Sequence, residues 1–481
     1  MGCGLSQSVN SKKPVLKTQA AKVISPGMFS RIASFSSLKD YAIENRIGGG
    51  AFSDVMLCIH RPSSQFRAMK IIYKSKLCTQ QIDRNNMLKE FELMRELDHP
   101  NILKCFEIFE DADKIYLITE YCEGGNLHDK LEKESVLSEN CASQIMFQIF
   151  SALAYCHEKG IIHRDIKLDN IFLESQNGFR CKIGDFGSSC ICDNDVGTTG
   201  CFGTSYYIAP EMLKSTYNNK VDVWSCGILL YVISTGKFPY SGKTAKVIKR
   251  QIMQSPPEVN RSVLPFSSAL LVDFLHNVLE PNPRERFSAE KALVHPWVVN
   301  YRRKSFRSSG FYLDISRLTR PKSKLQLAVS MYIISYLFKN SEVEGLKQYF
   351  TMLDKDNDGQ LIREDFENEF LKKFNPEQAE ELIQVLFDNF DLNNNKAIDY
   401  TEFLLAFLDS KKYLSDDMIK NFFYTFDRDH DGFISLDDLQ GVVGSLNTEW
   451  NQYTRISGVT YNHKHINSDQ FIELVNLSTN N

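Results

Sequence analysis

The sequence predicts an α+β protein in two successive parts: strands and helices up to residue 297, then an all-α part of repeated helix–loop–helix units from residue 341. Three observations predict this. An ordered series of glycine, lysine and carboxylate motifs runs from Gly48 to Glu211. Three Asp-led loops begin at Asp354, Asp391 and Asp427, 37 and 36 residues apart. The charge also changes sign: residues 341–481 carry 12 Lys+Arg and 27 Asp+Glu, net −15, whereas the remainder carries 44 and 33, net +11.

A chain of 481 residues with 43% hydrophobic content has room for two or three packed domains. Its overall charge of −4 gives no reason to expect a nucleic-acid partner, and a monomer is expected. The basic and acidic parts can attract each other, although acidic loops alone also explain the imbalance. All 12 Cys lie at or before Cys226 without the spacing of a zinc site or disulfide framework, which fits a reducing cytosol. Cys190 and Cys192 form either a redox pair or two packing thiols. No apolar run reaches membrane-spanning length; the run from Val221 to Ser234 reads as a buried helix.

Residues 1–40 read as a flexible tail. Met1-Gly2-Cys3-Gly4-Leu5-Ser6 matches the pattern for myristoylation at Gly2, with Cys3 placed for palmitoylation. Lys12, Lys13, Lys17 and Lys22 add attraction to an anionic surface. A cytoplasmic protein associated with membranes is expected.

Residues 41–297 open with an alternating strand that runs into Ile47-Gly48-Gly49-Gly50-Ala51-Phe52-Ser53-Asp54-Val55, a turn whose glycines let backbone approach phosphates. Lys70 follows on another strand, and a helix from about 85 to 97 carries Glu90, suited to an ion pair with Lys70. His163-Arg164-Asp165-Ile166-Lys167-Leu168-Asp169-Asn170 comes next, then Asp185-Phe186-Gly187 and Ala209-Pro210-Glu211.

In order and spacing these residues resemble the eukaryotic protein kinases, which implies a bilobal kinase fold that uses ATP and Mg²⁺. The resemblance gives Asp165 the substrate hydroxyl proton, Lys167 the transferring phosphate, Lys70 the α- and β-phosphates, and Asn170 and Asp185 the magnesium ions. It makes Glu120-Tyr121-Cys122 the hinge whose backbone binds adenine, with Thr119 as a small gatekeeper. Glu211 and Arg286 would form a structural ion pair, and Asp222 would anchor the loop that carries Asp165. Ser53 replaces a usual glycine and Leu168-Asp169 a usual Pro-Glu, but no chemical position is lost. Lys167 with Gly203-Thr204-Ser205 implies protein Ser/Thr substrates, and Glu123 and Asp169 favour a basic context. In the activation segment Arg164 is expected to meet a carboxylate, Asp193 or Asp195, rather than a phosphate.

Residues 298–340 form a basic junction: Arg302, Arg303, Lys304 and Arg307 precede apolar residues at helical spacing, from Leu325 through Ala328, Met331 and Tyr332 to Phe338. Such a helix suits capture by a neighbouring calcium module, a membrane surface, or permanent packing. Arg302-Arg303-Lys304-Ser305 also resembles a substrate.

Residues 341–481 carry loops with oxygen ligands at positions 1, 3, 5, 7 and 12. Loop one, 354–365, offers Asp354, Asp356, Asp358, the Gln360 carbonyl and Asp365. Loop two, 391–402, offers Asp391, Asn393, Asn395, the Ala397 carbonyl and Glu402, with Lys396 where glycine is usual. Loop three, 427–438, offers Asp427, Asp429, Asp431, the Phe433 carbonyl and Asp438. Glu at position 12 gives both oxygens to calcium, whereas Asp is shorter and suits magnesium better, so loop two ranks first as calcium discriminator. A fourth unit, about 459–470, lacks ligands and is expected to pair with loop three through Ile466.

Kinase, junction and four-unit EF-hand module in this order resemble the calcium-dependent protein kinases of plants and protists. The resemblance implies a serine/threonine protein kinase activated when Ca²⁺ relieves inhibition by the junction. A membrane-held calcium sensor with a silent kinase fold, or an unregulated kinase, are the alternatives.

Overall fold

The computed structural model describes residues 31–32, 35–50, 53–75, 91–192, 197–200, 202–214, 216–265, 267–300, 323–337, 340–356, 358–372, 374–408, 413–427, 431–435, 438–439 and 465–477. The acylation motif, Glu90, Asp193, Asp195 and the basic stretch 302–322 lie outside these residues.

Strands β1 (Arg31–Ile32), β2 (Tyr41–Gly49), β3 (Ser53–His60), β4 (Gln65–Tyr73), β5 (Cys105–Glu110) and β6 (Lys114–Glu120) make one sheet in the order β1-β5-β6-β4-β3-β2. The β2–β3 and β3–β4 pairs are antiparallel, so the glycine turn stands at the sheet's end with Lys70 on the next strand but one. The helix α1 (91–96) buries Phe91 and Met94 against this lobe.

The second lobe is built on α3 (Glu139–Glu158) and α4 (Lys220–Thr235), which follow α2 (Leu127–Glu134). Ser138 accepts from Cys141 N and starts α3; a 20-residue helix with buried residues all round must lie inside a lobe. The α4 sequence is equally apolar and buried, as read from Val221–Ser234. Two small hairpins carry the polar motifs: β7 (Ile161–Ile162) pairs with β10 (Cys190–Ile191), and β8 (Ile171–Leu173) with β9 (Cys181–Ile183). Helices α5 (Ala245–Gln254), α6 (Ala269–Val278) and α7 (Ala289–Leu293) complete this lobe.

A second large core begins at Leu325 and extends to Val475. It contains α8 (Lys324–Tyr332) and a π-helical turn, Ile333–Leu337. Tyr332 packs on Phe422 and Phe426 at centroid distances of 5.2 and 5.8 Å, and its hydroxyl meets Thr425 Oγ1 at 2.7 Å. The junction helix therefore packs as part of the calcium half, and the division drawn at residue 340 runs through one packed body. The cause is its apolar face, buried against α12 (Tyr400–Phe407) and α13 (Asp416–Phe426), which follow α9 (Asn340–Leu353), α10 (Arg363–Phe370) and α11 (Pro376–Phe390). The helix α14 (Ser468–Leu477) closes the unit.

The loops pair in twos. Leu361↔Ile398 joins β11 (Gln360–Leu361) to β12 (Ile398–Asp399), and Ile434↔Ile466 joins β13 (Ile434–Ser435) to β14 (His465–Ile466).

The calcium half rests on the face of the catalytic half behind the hinge. Lys347 Nζ reaches Glu174 Oε1 at 2.7 Å, Arg180 pairs with Glu344, and Thr401 binds Asp98. Arg67 and Lys104 donate to the carbonyls of Tyr336 and Ser335 at 2.6 and 3.3 Å, closing the last turn of the junction onto the sheet. A cavity of about 620 Å³ remains in this seam, between Phe106, Glu120, Lys182, Tyr336, Lys347 and Tyr400.

Candidate functional site

The cleft between the two lobes gathers the motif residues. In the β2–β3 turn Gly48 faces Val55 and Gly49 faces Asp54. Arg46 Nε bonds Asp54 at 2.8 Å and its guanidinium lies over Gly49, where a side chain would collide with it. Ala51 and Phe52, and with them the turn's tip, lie outside the described residues.

Below the turn, Lys70 Nζ donates to Asp185 Oδ1 at 2.8 Å. Lys70 outweighs the effect of burial and holds the Asp185 carboxyl down at about 2, so Asp185 stays an anion. Asp185 is left-handed, with φ 63°, a conformation costly for a non-glycine residue. The next residue, Phe186, is buried against His163 at 4.7 Å, and that packing fixes the turn.

Asp165 stands on a loop held from beneath. The buried Asp222 carboxylate accepts from His163 N (2.9 Å), Arg164 N (2.8 Å) and His157 Nε2 (2.9 Å). Asp165 in turn accepts from Lys167 Nζ at 2.7 Å, Asn170 Nδ2 at 3.2 Å and Thr204 N at 3.2 Å. Lys167 also reaches Thr204 Oγ1 at 3.3 Å, tying the loop to the 203–205 segment. Asn170 turns its amide nitrogen to Asp165, which leaves its oxygen as the atom for a cation. With Asp185 it offers a set of hard oxygen donors that fits Mg²⁺.

Glu211 and Arg286 form the expected buried pair, bidentate at 2.6 and 3.0 Å. Thr119 is buried and Glu120 ends β6, followed by the buried Cys122. The Arg164 guanidinium donates to the carbonyls of Ser188 and Ser189 and lies 4.0 Å over the Phe202 ring; its expected carboxylate partners, Asp193 and Asp195, lie outside the described residues.

On the far side, the three loops assemble carboxylates. Oxygens of Asp354, Asp356 and Asp358 lie within 4.8 Å of one another. Burial chiefly, with Asp356 and Glu158 nearby, raises Asp358 to about 6. Asp354 accepts from Gly359 N at 3.1 Å and Asp365 from Ile362 N at 3.1 Å. In loop two Asp391 accepts from Asn395 N and Lys396 N, and Glu402 from Leu392 N at 3.0 Å and Asp399 N at 2.9 Å. Lys396 takes the glycine position with φ 67°. Burial and Asp399 push the Glu402 carboxyl well up. In loop three Asp427 accepts from Gly432 N at 3.0 Å, and Asp431 and Asp438 from Phe433 N and Ser435 N; Asp429 lies outside the described residues. In loop one the all-oxygen donor set gathered by Asp354, Asp356 and Asp358 fits Ca²⁺, and loops two and three offer the same kind of donors.

Sequence reasoning singled out none of the seam: Asp98, Tyr155, Glu174, Lys182, Glu344, Lys347 and Thr401 belong to no motif. Only the opposite charge of the two halves pointed to it.

Known proteins agree with this architecture. Residues 41–298 match the family model of the protein kinase domain, and residues 343–408 that of the EF-hand domain pair, which spans loops one and two. Calcium-dependent protein kinase 19 of Arabidopsis thaliana is 31% identical over 422 residues, covering 86% of this chain and 75% of that protein. Calcium-dependent protein kinase 5 of Plasmodium falciparum is 34% identical over 406 residues, covering 82% and 69%. Calcium-dependent protein kinase 11 of Oryza sativa subsp. japonica is 30% identical over 443 residues, covering 90% and 76%.

Proposed function

The chain belongs to the calcium-dependent protein kinases, enzymes that transfer the ATP γ-phosphate to protein serine and threonine, and from that premise we propose which residues do the work and how the calcium half governs it. The observation that carries the assignment is the convergence of Lys70, Asp165, Lys167, Asn170 and Asp185 in one cleft.

Asp165 accepts the substrate hydroxyl proton; its bonds from Lys167 and Thr204 aim the carboxylate before substrate arrives. Lys167 then steadies the group in transfer, and Lys70 the α- and β-phosphates. Ile47, the 48–55 turn and the backbone of Glu120 and Cys122 enclose the nucleotide. Asn170 and Asp185 would hold magnesium, whose positive charge would offset that of the phosphates. Asp185→Ala should abolish transfer while ⁴⁵Ca²⁺ binding persists; retained transfer would reassign the metal site.

Calcium acts through the three loops, with Asp354, Asp356, Asp358 and Asp365, then Asp391, Asn393, Asn395 and Glu402, then Asp427, Asp429, Asp431 and Asp438 as side-chain ligands. The position-12 carboxylates Asp365, Glu402 and Asp438, each at the start of a helix, would couple calcium binding in their loops to the helices that follow. We assign the inhibitory role to the junction, residues 298–340, with calcium binding to the C-terminal loops relieving it. A chain ending at Tyr301 should then phosphorylate a basic peptide equally in EGTA and in Ca²⁺. A silent truncated enzyme would place the switch in the rear-face contacts instead.

Gly2 and Cys3 serve as acylation sites that hold the enzyme at membranes, supported by Lys12, Lys13, Lys17 and Lys22. Gly2→Ala should release it from vesicles containing phosphatidylserine.

A further inference from the structure

The seam behind the hinge holds a chain of buried charges that runs from the calcium half to the nucleotide-binding strand end. Lys347 on α9 donates to Glu174 Oε1 at 2.7 Å. Lys182 on β9 lies 3.7 Å from that same oxygen and 3.2 Å from Glu120 Oε2. The side chains of Glu174 and Lys182 are 2% and 5% exposed, so each charge depends on its partners rather than on water.

These residues are tied to the chemistry on both sides. Glu120 is the first residue of the hinge; its N–H donates to Lys104 O at 2.9 Å and its carboxylate receives Lys182. Glu174 directly follows β8 and Lys182 lies in β9, the hairpin whose two ends carry Asn170 and Asp185. Arg180 Nε holds the second oxygen of Glu174 at 3.1 Å and pairs in turn with Glu344 of α9.

Lys182 is shared between two carboxylates, and Lys347 decides the sharing. With Lys347 on Glu174, Lys182 stands nearer Glu120. With Lys347 gone, Glu174 would lack its closest cation and draw Lys182 towards itself, since attraction between buried charges rises steeply as they approach. Glu120 would then lose the Lys182 cation from Oε2, an oxygen that otherwise accepts from Lys104 N at a longer 3.4 Å. Burial opposes ionisation of Glu174, yet Lys347 and Lys182 outweigh it and hold the carboxyl down at about 2, so it remains an anion that needs them.

We propose that Lys347 is a positioning residue for ATP: by holding Glu174 it leaves Lys182 to fix Glu120, so that the seated calcium half tightens nucleotide binding as well as freeing the substrate face. This rests on the reading of Glu120–Cys122 as the adenine-binding hinge.

The test is steady-state phosphorylation of a basic peptide by the full chain in saturating Ca²⁺. Lys347→Met should raise KM for ATP roughly fivefold at little changed kcat, and Lys347→Arg should restore it. Glu174→Gln should suppress the defect, because a neutral residue no longer pulls Lys182 away. An unchanged KM in Lys347→Met, a defect that persists in the double variant, or a shift only in the calcium needed for activation would overturn the proposal. Adenosine separates the two readings. If adenosine fails to compete with ATP, the hinge assignment falls; if it competes while KM does not move, the charge chain falls alone.

Discussion

Asp98 of the catalytic half caps a helix of the calcium half: its carboxylate accepts from Thr401 N and Thr401 Oγ1, each at 2.9 Å. Thr401 lies in the first turn of α12, beside Glu402, the twelfth residue of loop two. An acidic cap satisfies an otherwise open N–H and complements the positive end of the helix. The helix that follows loop two is therefore fastened to the kinase at the same turn. Losing such a cap costs about 1 kcal/mol, so Asp98→Ala should raise the calcium needed for half-maximal activity roughly fivefold. Asp98→Asn should raise it less. A calcium titration of peptide phosphorylation reads both, and coincident curves would sever loop two from this contact.

Gly359 and Gly432 hold the same place in loops one and three, with φ 80° and 83°. A Cβ on Gly359 would sit 2.7 Å from Tyr155 and 2.9 Å from His99, whereas one on Gly432 would meet nothing within 4 Å. Each Gly→Ala change incurs backbone strain of about 1 kcal/mol. Gly359→Ala alone should also unseat the calcium half. Calcium-stimulated activity should thus fall much further for Gly359→Ala than for Gly432→Ala, and equal losses would show that only strain matters.

Arg164 is already occupied by Ser188, Ser189 and Phe202, and Thr198 pairs its backbone with Tyr217 in both directions at 2.9 Å. Among the described residues, these contacts hold both sides of the activation segment. A Thr198→Ala, Thr199→Ala enzyme should retain most calcium-stimulated activity; its silence would show that phosphorylation is required.

His99 is buried, with Nδ1 accepting from Asn101 N and Nε2 beside Ser151 Oγ. Burial first, then Lys347 and Lys182, lower it to about 3. Unfolded, it titrates near 6.5. The unfolded chain therefore binds the extra proton as pH falls below 6.5, and the fold loses stability. At pH 5.5 the loss is about 1 kcal/mol. The thermal midpoint should drop more between pH 7.5 and 5.5 for the native enzyme than for His99→Asn. Equal drops would assign the acid sensitivity to other groups.

The motifs were legible because phosphate and cation chemistry demands fixed residue types at fixed spacing. Asp165 and Asp185 stand in local motifs, Asp222 and the Glu211–Arg286 pair followed from the kinase resemblance, and Ile466 gave the pairing with loop three. The seam was not legible. Asp98 and Thr401 are 303 residues apart, and Lys347 and Glu174 are 173 apart. Each is an ordinary surface residue until the two halves meet. The carbonyls of Ser188 and Ser189 that receive Arg164 leave no sign in a sequence either.

The junction helix gives the calcium half an unusual independence. Leu325, Ala328, Val329, Met331 and Tyr332 already fill the apolar channel between α12, α13 and α14. A tethered ligand competes at an effective concentration in the millimolar range, far above any free target in a cell. Foreign amphipathic peptides should find that channel closed, so this sensor reports to its own enzyme and to no other client.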